Sequence, residues 1–217
     1  MNTKANDIKS VKCFSALPLW KIISVLSNPN ITTEEVEYVF KDILGDEHSR
    51  HHLIGQNPIA KYRVKHRSKD LYPIFKKLAK SPLNPIVLKY IIDLFHGEEY
   101  REELSMIWLV NTICLNININ AEILANEYKY IMELLESSSQ FQTRKGYRIR
   151  DNSISQEVYK TYIKINKNII SELKHSPYLK PEDLEKLCYD EKPQIRNAVV
   201  LNTNCPREGQ IASSLNR

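Results

Sequence analysis

The sequence predicts an all-α protein: a single solenoid of about seven short, irregular helical repeats. Three observations point there. Glycine is scarce, at 5 residues, while proline reaches 10, a balance that suits short helices punctuated by stops better than hairpin-rich sheets. Apolar residues recur at helical spacing in segment after segment. Between these segments a polar bend built on Asn, Ser and Pro returns near residues 29, 58, 82, 117, 151, 177 and 203, at intervals of 24 to 35 residues. Recurrence on that scale indicates stacked supersecondary units, none of which can bury its apolar face alone.

In chain order, residues 1–16 are polar with a modest apolar tail and read as an N-terminal segment or cap, leaving 17–217 for the repeats. LPLWKIISVL, from Leu17, has helical apolar spacing and stops at Asn28-Pro29, because a residue before proline is pushed out of the helical region. The next helix, ITTEEVEYVFKDIL, opens on a capping box, Thr32 with Glu35, and places Val36, Val39, Phe40 and Ile43 on one face. Asn84-Pro85 supplies an N-cap and a first-turn proline for IVLKYIIDLF. GEEYREELSMIW forms the next amphipathic helix. The run NININ, residues 116–120, then occupies the fourth bend, where other copies have proline, with Asn120 as a cap for AEILANEYKYIMELL. ESSSQFQTRKGYRIR interrupts the pattern and is expected to be a loop inserted at about 137–150. The best-formed pair of bends, around Ser176-Pro177 and Asn202-Thr203, lies within Ile169 to Gln210. After the seventh bend, IASSLNR is too short for a full unit, which suggests a frayed cap, a dimer contact or the edge of a truncated chain.

The segment PYLKPEDLEKLCYDEKPQIRNAVVLNTNCP resembles the leucine-rich-repeat-variant family, a relative of HEAT-like α-solenoids. Pro181, Leu184, Leu187, Asp190, Ile195, Arg196, Ala198, Val199, Val200, Asn202 and Pro206 carry the resemblance. It implies a right-handed superhelix of short helices and no enzyme activity. The four-cysteine iron–sulfur segment of some members has no counterpart here, so no cofactor is expected.

The net charge of +5 is unevenly distributed. Residues 61–69 carry Lys61, Arg63, Lys65, Arg67 and Lys69 with no acid, and residues 144–150 carry Arg144, Lys145, Arg148 and Arg150 around Tyr147, again with no acid. Subtracting those nine from the 31 Lys and Arg leaves 22 against 26 Asp and Glu. The positive charge is local. Such patches serve a solvated surface, an acidic protein partner, or the phosphate backbone of DNA or RNA with an aromatic ring stacked on a base. HEAT-like solenoids as a class cradle DNA, including a family of alkylpurine glycosylases, though the chain has no sequence match to those enzymes.

Other chemistry reads as structural. Asp190, Glu191 and Arg196 echo Asp46, Glu47 and Arg50, and repetition of the same charges argues for a helix-start role, with the Arg pairing to the acid or to a neighbouring unit's carbonyls. His48, His51 and His52 share a helical face but lack a fixed fourth ligand, so no metal is expected. Glu98, Glu99, Glu102 and Glu103 read as a solvated face, and Trp20 and Trp108 as core. Cys188 and Cys205 occupy apolar repeat positions, Cys205 standing where Ile31 and Leu179 stand in other copies. The four cysteines show no close pairing, and no signal peptide or membrane-length apolar run is present, so a reduced, cytoplasmic protein is expected. The sequence thus predicts a non-enzymatic binding or scaffold protein. A protein is its first partner class, nucleic acid the alternative, and a DNA repair glycosylase on a HEAT-like scaffold the weakest; its oligomeric state is open.

Overall fold

The computed structural model describes residues 17–44, 72–97, 103–143 and 154–215. Among these residues there are ten helices and no strand, so the all-α class holds. They fall into two compact units, residues 1–99 and 100–217. The first unit holds α1 (Leu19–Leu26), α2 (Thr33–Leu44), α3 (72–80) and α4 (Pro85–Phe95). The second holds α5 (Leu104–Cys114), α6 (Ala121–Thr143), α7 (Gln156–His175), α8 (Pro181–Leu187), α9 (Pro193–Val200) and α10 (Arg207–Leu215).

Local chemistry sets the helix starts. Thr32 and Glu35 form the expected reciprocal capping box: the Glu35 carboxylate accepts from the Thr32 backbone N–H at 2.9 Å, and the Thr32 hydroxyl accepts from the Glu35 N–H at 3.3 Å. Asn84 and Asn120 cap α4 and α6 by accepting from the N–H groups of Ile86 and Ile123. Ser155 does the same for α7 through the N–H of Val158. Each cap satisfies one of the donors that a helix start leaves without a partner.

One turn recurs with the same hydrogen bonds. In Asn28–Ile31, Asn116–Ile119 and Asn202–Cys205 the first residue's carbonyl accepts from the fourth residue's N–H at 3.0 to 3.2 Å. Its side-chain oxygen accepts from the third residue's N–H at 2.9 to 3.0 Å. The Asn side chain thus folds its own turn, so the boundary at 117 needs no proline. Ser176–Leu179 follows the same register, with the Ser176 hydroxyl facing the Tyr178 N–H. The fourth position is always a buried apolar residue, Ile31, Ile119, Leu179 or Cys205, as the sequence alignment of the bends requires.

Asparagine also ties one bend to the next. Pro177 has no N–H, so the Leu173 carbonyl at the end of α7 loses its helical donor. The Asn202 amide supplies the replacement, donating to the Leu173 carbonyl at 2.9 Å and to the Ser176 carbonyl at 3.1 Å. Asn204 adds bonds to the carbonyls of Pro177 and Leu179. In the first unit Asn84 repeats the arrangement: its backbone N–H reaches the Leu26 carbonyl at 3.1 Å, and its amide reaches the carbonyls of Asn28 and Pro29. Asn84 therefore caps its own helix with its oxygen and clamps an earlier bend with its nitrogen.

Packing completes each unit. In the first, Phe40 stacks on Phe75 at 6.0 Å between ring centroids, and Phe95 meets Phe75 edge-on at 5.2 Å. In the second, α7 packs against α5, α6 and α9, burying Ile165, Ile169 and Leu173.

Two expectations need correction. Helices α6 and α7 run to 23 and 20 residues, whereas the sequence suggests short helices throughout. No proline lies between Pro85 and Pro177, so nothing in that stretch imposes a stop of the kind that ends the other helices. Residues 137–143, assigned to the inserted loop, continue α6 as far as Thr143. The hydroxyls of Ser137 and Ser138 donate back to the Leu134 carbonyl, so the polar run does not compete with the helix. The bend at 58 and the start of the bend at 151 lie outside the described residues.

Replacing Asn202 with alanine should cost about 2–4 kcal/mol, because two buried carbonyls lose their donor together with the turn's own bond. Asn84→Ala, in a more exposed bend, should cost about 1–2 kcal/mol. Urea denaturation of the two variants should rank them in that order, and equal, near-zero losses would remove the clamp as a source of stability.

Candidate binding surface

The ten basic-patch residues, Lys61, Arg63, Lys65, Arg67 and Lys69 with Arg144, Lys145, Tyr147, Arg148 and Arg150, lie outside the described residues, as do His48, His51, His52, Glu98, Glu99 and Glu102. What the structure does place is a set of large apolar side chains facing solvent.

Trp20 is 66% exposed and Trp108 37% exposed, correcting their assignment to the core. The reason is helical phase. In α1 the buried residues are Ile22 and Leu26, and Trp20 lies about 200° round the helix from Ile22. In α5 the inward face takes Met106, Ile107, Leu109, Val110, Ile113 and Cys114, leaving Trp108 and Leu115 outside. Lys164 of α7 places its ammonium 4.8 Å from the centroid of the Trp108 ring, a cation–π contact joining two helices at the surface.

Bends supply the other exposed residues. Leu115, Ile117, Tyr178 and Leu201 all stand within two residues of the Asn or Ser that begins a turn. The fourth residue of the turn points inward and the second is turned out, as is the third except at Asn204, whose amide reaches the neighbouring bend. That alternation is a signal the sequence carried, since the four turns align without gaps. Tyr178 lies between Pro177 and Leu179, whose carbonyls Asn204 holds, so the clamp fixes the backbone on both sides of an exposed ring. Tyr189 and Ile211 are exposed to a similar degree.

Charged groups beside this surface serve the scaffold. The Asp190 carboxylate is 6% exposed, accepts from the Lys192 N–H at 2.9 Å, and pairs with Lys129 of α6 at 2.8 Å. Arg196 pairs with neither acid: its guanidinium donates to the backbone carbonyls of Asp190 and Glu191 at 2.7 and 3.1 Å. The carbonyls it reaches belong to its own segment rather than to a neighbouring unit. Among the described residues no cluster of His, Cys, Asp and Glu could hold a metal ion, and no helix is long and apolar enough to cross a membrane.

Unit 2 also buries polar chemistry that the sequence does not announce. Burial pushes the Cys114 thiol well above its usual range, and the carboxylates of Glu127 and Glu172 add to the effect. Burial likewise raises Glu172, opposed by a hydrogen bond from Ser176 and the charge of His175. Asn168 donates to Asn111 at 2.8 Å. Asn166, 6% exposed, makes no hydrogen bond through either amide atom. No family model matches the chain, and neither a curated protein nor a solved structure does.

Two measurements follow from these buried groups. A carboxyl raised in the folded state binds its proton more tightly there than in the unfolded chain, so its contribution to stability falls as pH rises from the ordinary 4.5 upward through the folded value. Glu172→Gln should therefore stabilise the fold at neutral pH and lose that advantage in acid; a constant difference across urea titrations at several pH values would refute the assignment. Asn166→Leu should be neutral or stabilising by about 1–3 kcal/mol, since it removes two unpaired polar atoms at similar volume. A clear loss of stability in thermal unfolding would show that the amide has a structural partner.

Proposed function

We propose that the protein is a non-enzymatic binding protein: a right-handed α-solenoid of about seven irregular repeats that presents an extended surface to another macromolecule, a protein. The observation that carries this reading is the exposure of Tyr178 and Leu201, at 62% and 59%, in bends whose backbones are fastened together by Asn202 and Asn204. Aromatic and aliphatic side chains on a rigid frame are the usual anchors of protein interfaces, because little conformational freedom is lost when they are covered. Buried hydrogen-bonded charges such as Asp190 hold the frame, leaving the surface role to apolar groups. The concave face of such an array is the natural place for the partner.

A second reading rests on charge. The nine Lys and Arg of residues 61–69 and 144–150, with no acid among them, suit the phosphate backbone of DNA or RNA.

The two readings respond to different variants. Tyr178→Glu with Leu201→Glu should abolish retention of a specific protein by the immobilised chain, whereas the wild type retains it at moderate salt. Neutralising Arg63, Lys65, Arg67, Arg144 and Arg148 should leave that retention intact. If instead a gel shift at low salt shows a nucleic-acid complex that weakens steeply with salt and disappears in the neutralised variant, the protein-binding reading gives way to the second.

A further inference from the structure

The C-terminal pair of bends brings together two cysteines that lie 17 residues apart in the chain. Cys188 closes α8 and Cys205 ends the turn before α10, and their sulfurs stand 3.4 Å apart, both buried and both free thiols. The backbone of α10 is pressed against the pair. A Cβ at Gly209 would lie 2.7 Å from the Cys188 sulfur and 3.5 Å from the Cys205 sulfur, so in the closed fold neither sulfur has room for a bulky adduct. The oxidation product that adds no atoms is a bond between the two.

We propose that Cys188 and Cys205 are a dithiol–disulfide site, oxidised by a low-molecular-weight disulfide to an internal cross-link that fastens the end of α8 to the turn leading into α10. The sulfurs need to approach by a little over 1 Å to reach the usual bond length of about 2.05 Å. The first attack falls to Cys205. Burial raises the thiols of both residues, that of Cys188 to about 12. A hydrogen bond from Cys188 offsets part of the rise at Cys205. When α10 opens, the Cys205 thiolate attacks one sulfur of the small disulfide and expels a thiolate, which takes up the proton that Cys205 lost. The Cys188 thiolate then attacks the Cys205 sulfur and expels the second small thiol, which takes the Cys188 proton. Two protein thiols are oxidised and one disulfide is reduced to two thiols. Exchange is slow while α10 is closed and complete once it opens, so the site responds to sustained oxidising conditions rather than to brief ones.

The test uses the full chain equilibrated in mixtures of reduced and oxidised glutathione, in native buffer and in concentrated urea, followed by acid quench, alkylation and peptide mapping without reduction. A peptide pair joined through Cys188 and Cys205 should appear, with an equilibrium constant in native buffer at least about tenfold that in urea, because the fold already holds the sulfurs together. The urea midpoint of the wild type should rise with oxidation, and that of Cys188→Ser should not. A native constant equal to or below the denatured one, or recovery of Cys188 and Cys205 as separate glutathione adducts, would overturn the proposal. So would a midpoint in Cys188→Ser that still follows the redox buffer.

Discussion

A helix that ends in a bend leaves carbonyl oxygens without donors, and a bend containing proline leaves one more. This chain meets that constraint with asparagine amides delivered from another bend. Asn202 fills the vacancy that Pro177 creates at the Leu173 carbonyl, and the Asn84 amide likewise reaches an earlier bend, at the carbonyls of Asn28 and Pro29. Buried unpaired carbonyls are costly, and each such bond also couples two segments tens of residues apart in sequence. At these two joints the position of one bend against the next is therefore set by a single type of contact. Apolar packing then fills a frame whose joints are already positioned.

Much of this was legible because it is local. The capping box at Thr32 and Glu35, the caps at Asn84 and Asn120, and the alignment of Cys205 with Ile31 and Leu179 depend on residues a few positions apart, and each stands as read. What escaped depends on phase or on distant partners. Trp20 and Trp108 read as core residues, yet helical phase puts them outside. The helical continuation through Ser137 and Ser138 escaped because serine is ambiguous: it breaks a helix when its hydroxyl competes for the backbone and continues one when it bonds to the preceding turn. For Arg196 the sequence leaves open the acid or a neighbouring unit's carbonyls; the guanidinium takes carbonyls, but those of its own segment, and Asp190 is satisfied by Lys129, more than sixty positions away in sequence. The candidate surface was legible only in part. Clusters of charge are conspicuous in a sequence, whereas exposure of Tyr178 or Leu201 follows from a turn register that becomes visible only when the bends are compared.

The chemistry of the second unit divides cleanly by depth. Burial disfavours the charged forms of ionisable groups near its core, raising the Cys114 thiol and the Glu172 carboxyl, while the ion pair of Lys129 and Asp190 retains a partner for each charge. The surface beside them carries exposed rings and aliphatic groups, among them Tyr178, Tyr189 and Leu201.

The four-residue turn recurs unchanged while the helices between turns range from 7 to 23 residues. Because its bonds run from side chain to backbone within the bend, and from amide to carbonyl between bends, the joint is indifferent to how much helix separates one copy from the next. A chain built this way can absorb an insertion or deletion of whole helical turns between its joints, adding or removing outward-facing surface while the clamped ends keep their register. Length variation in the helices is thus a route by which the same scaffold acquires new surfaces without redesign of its core.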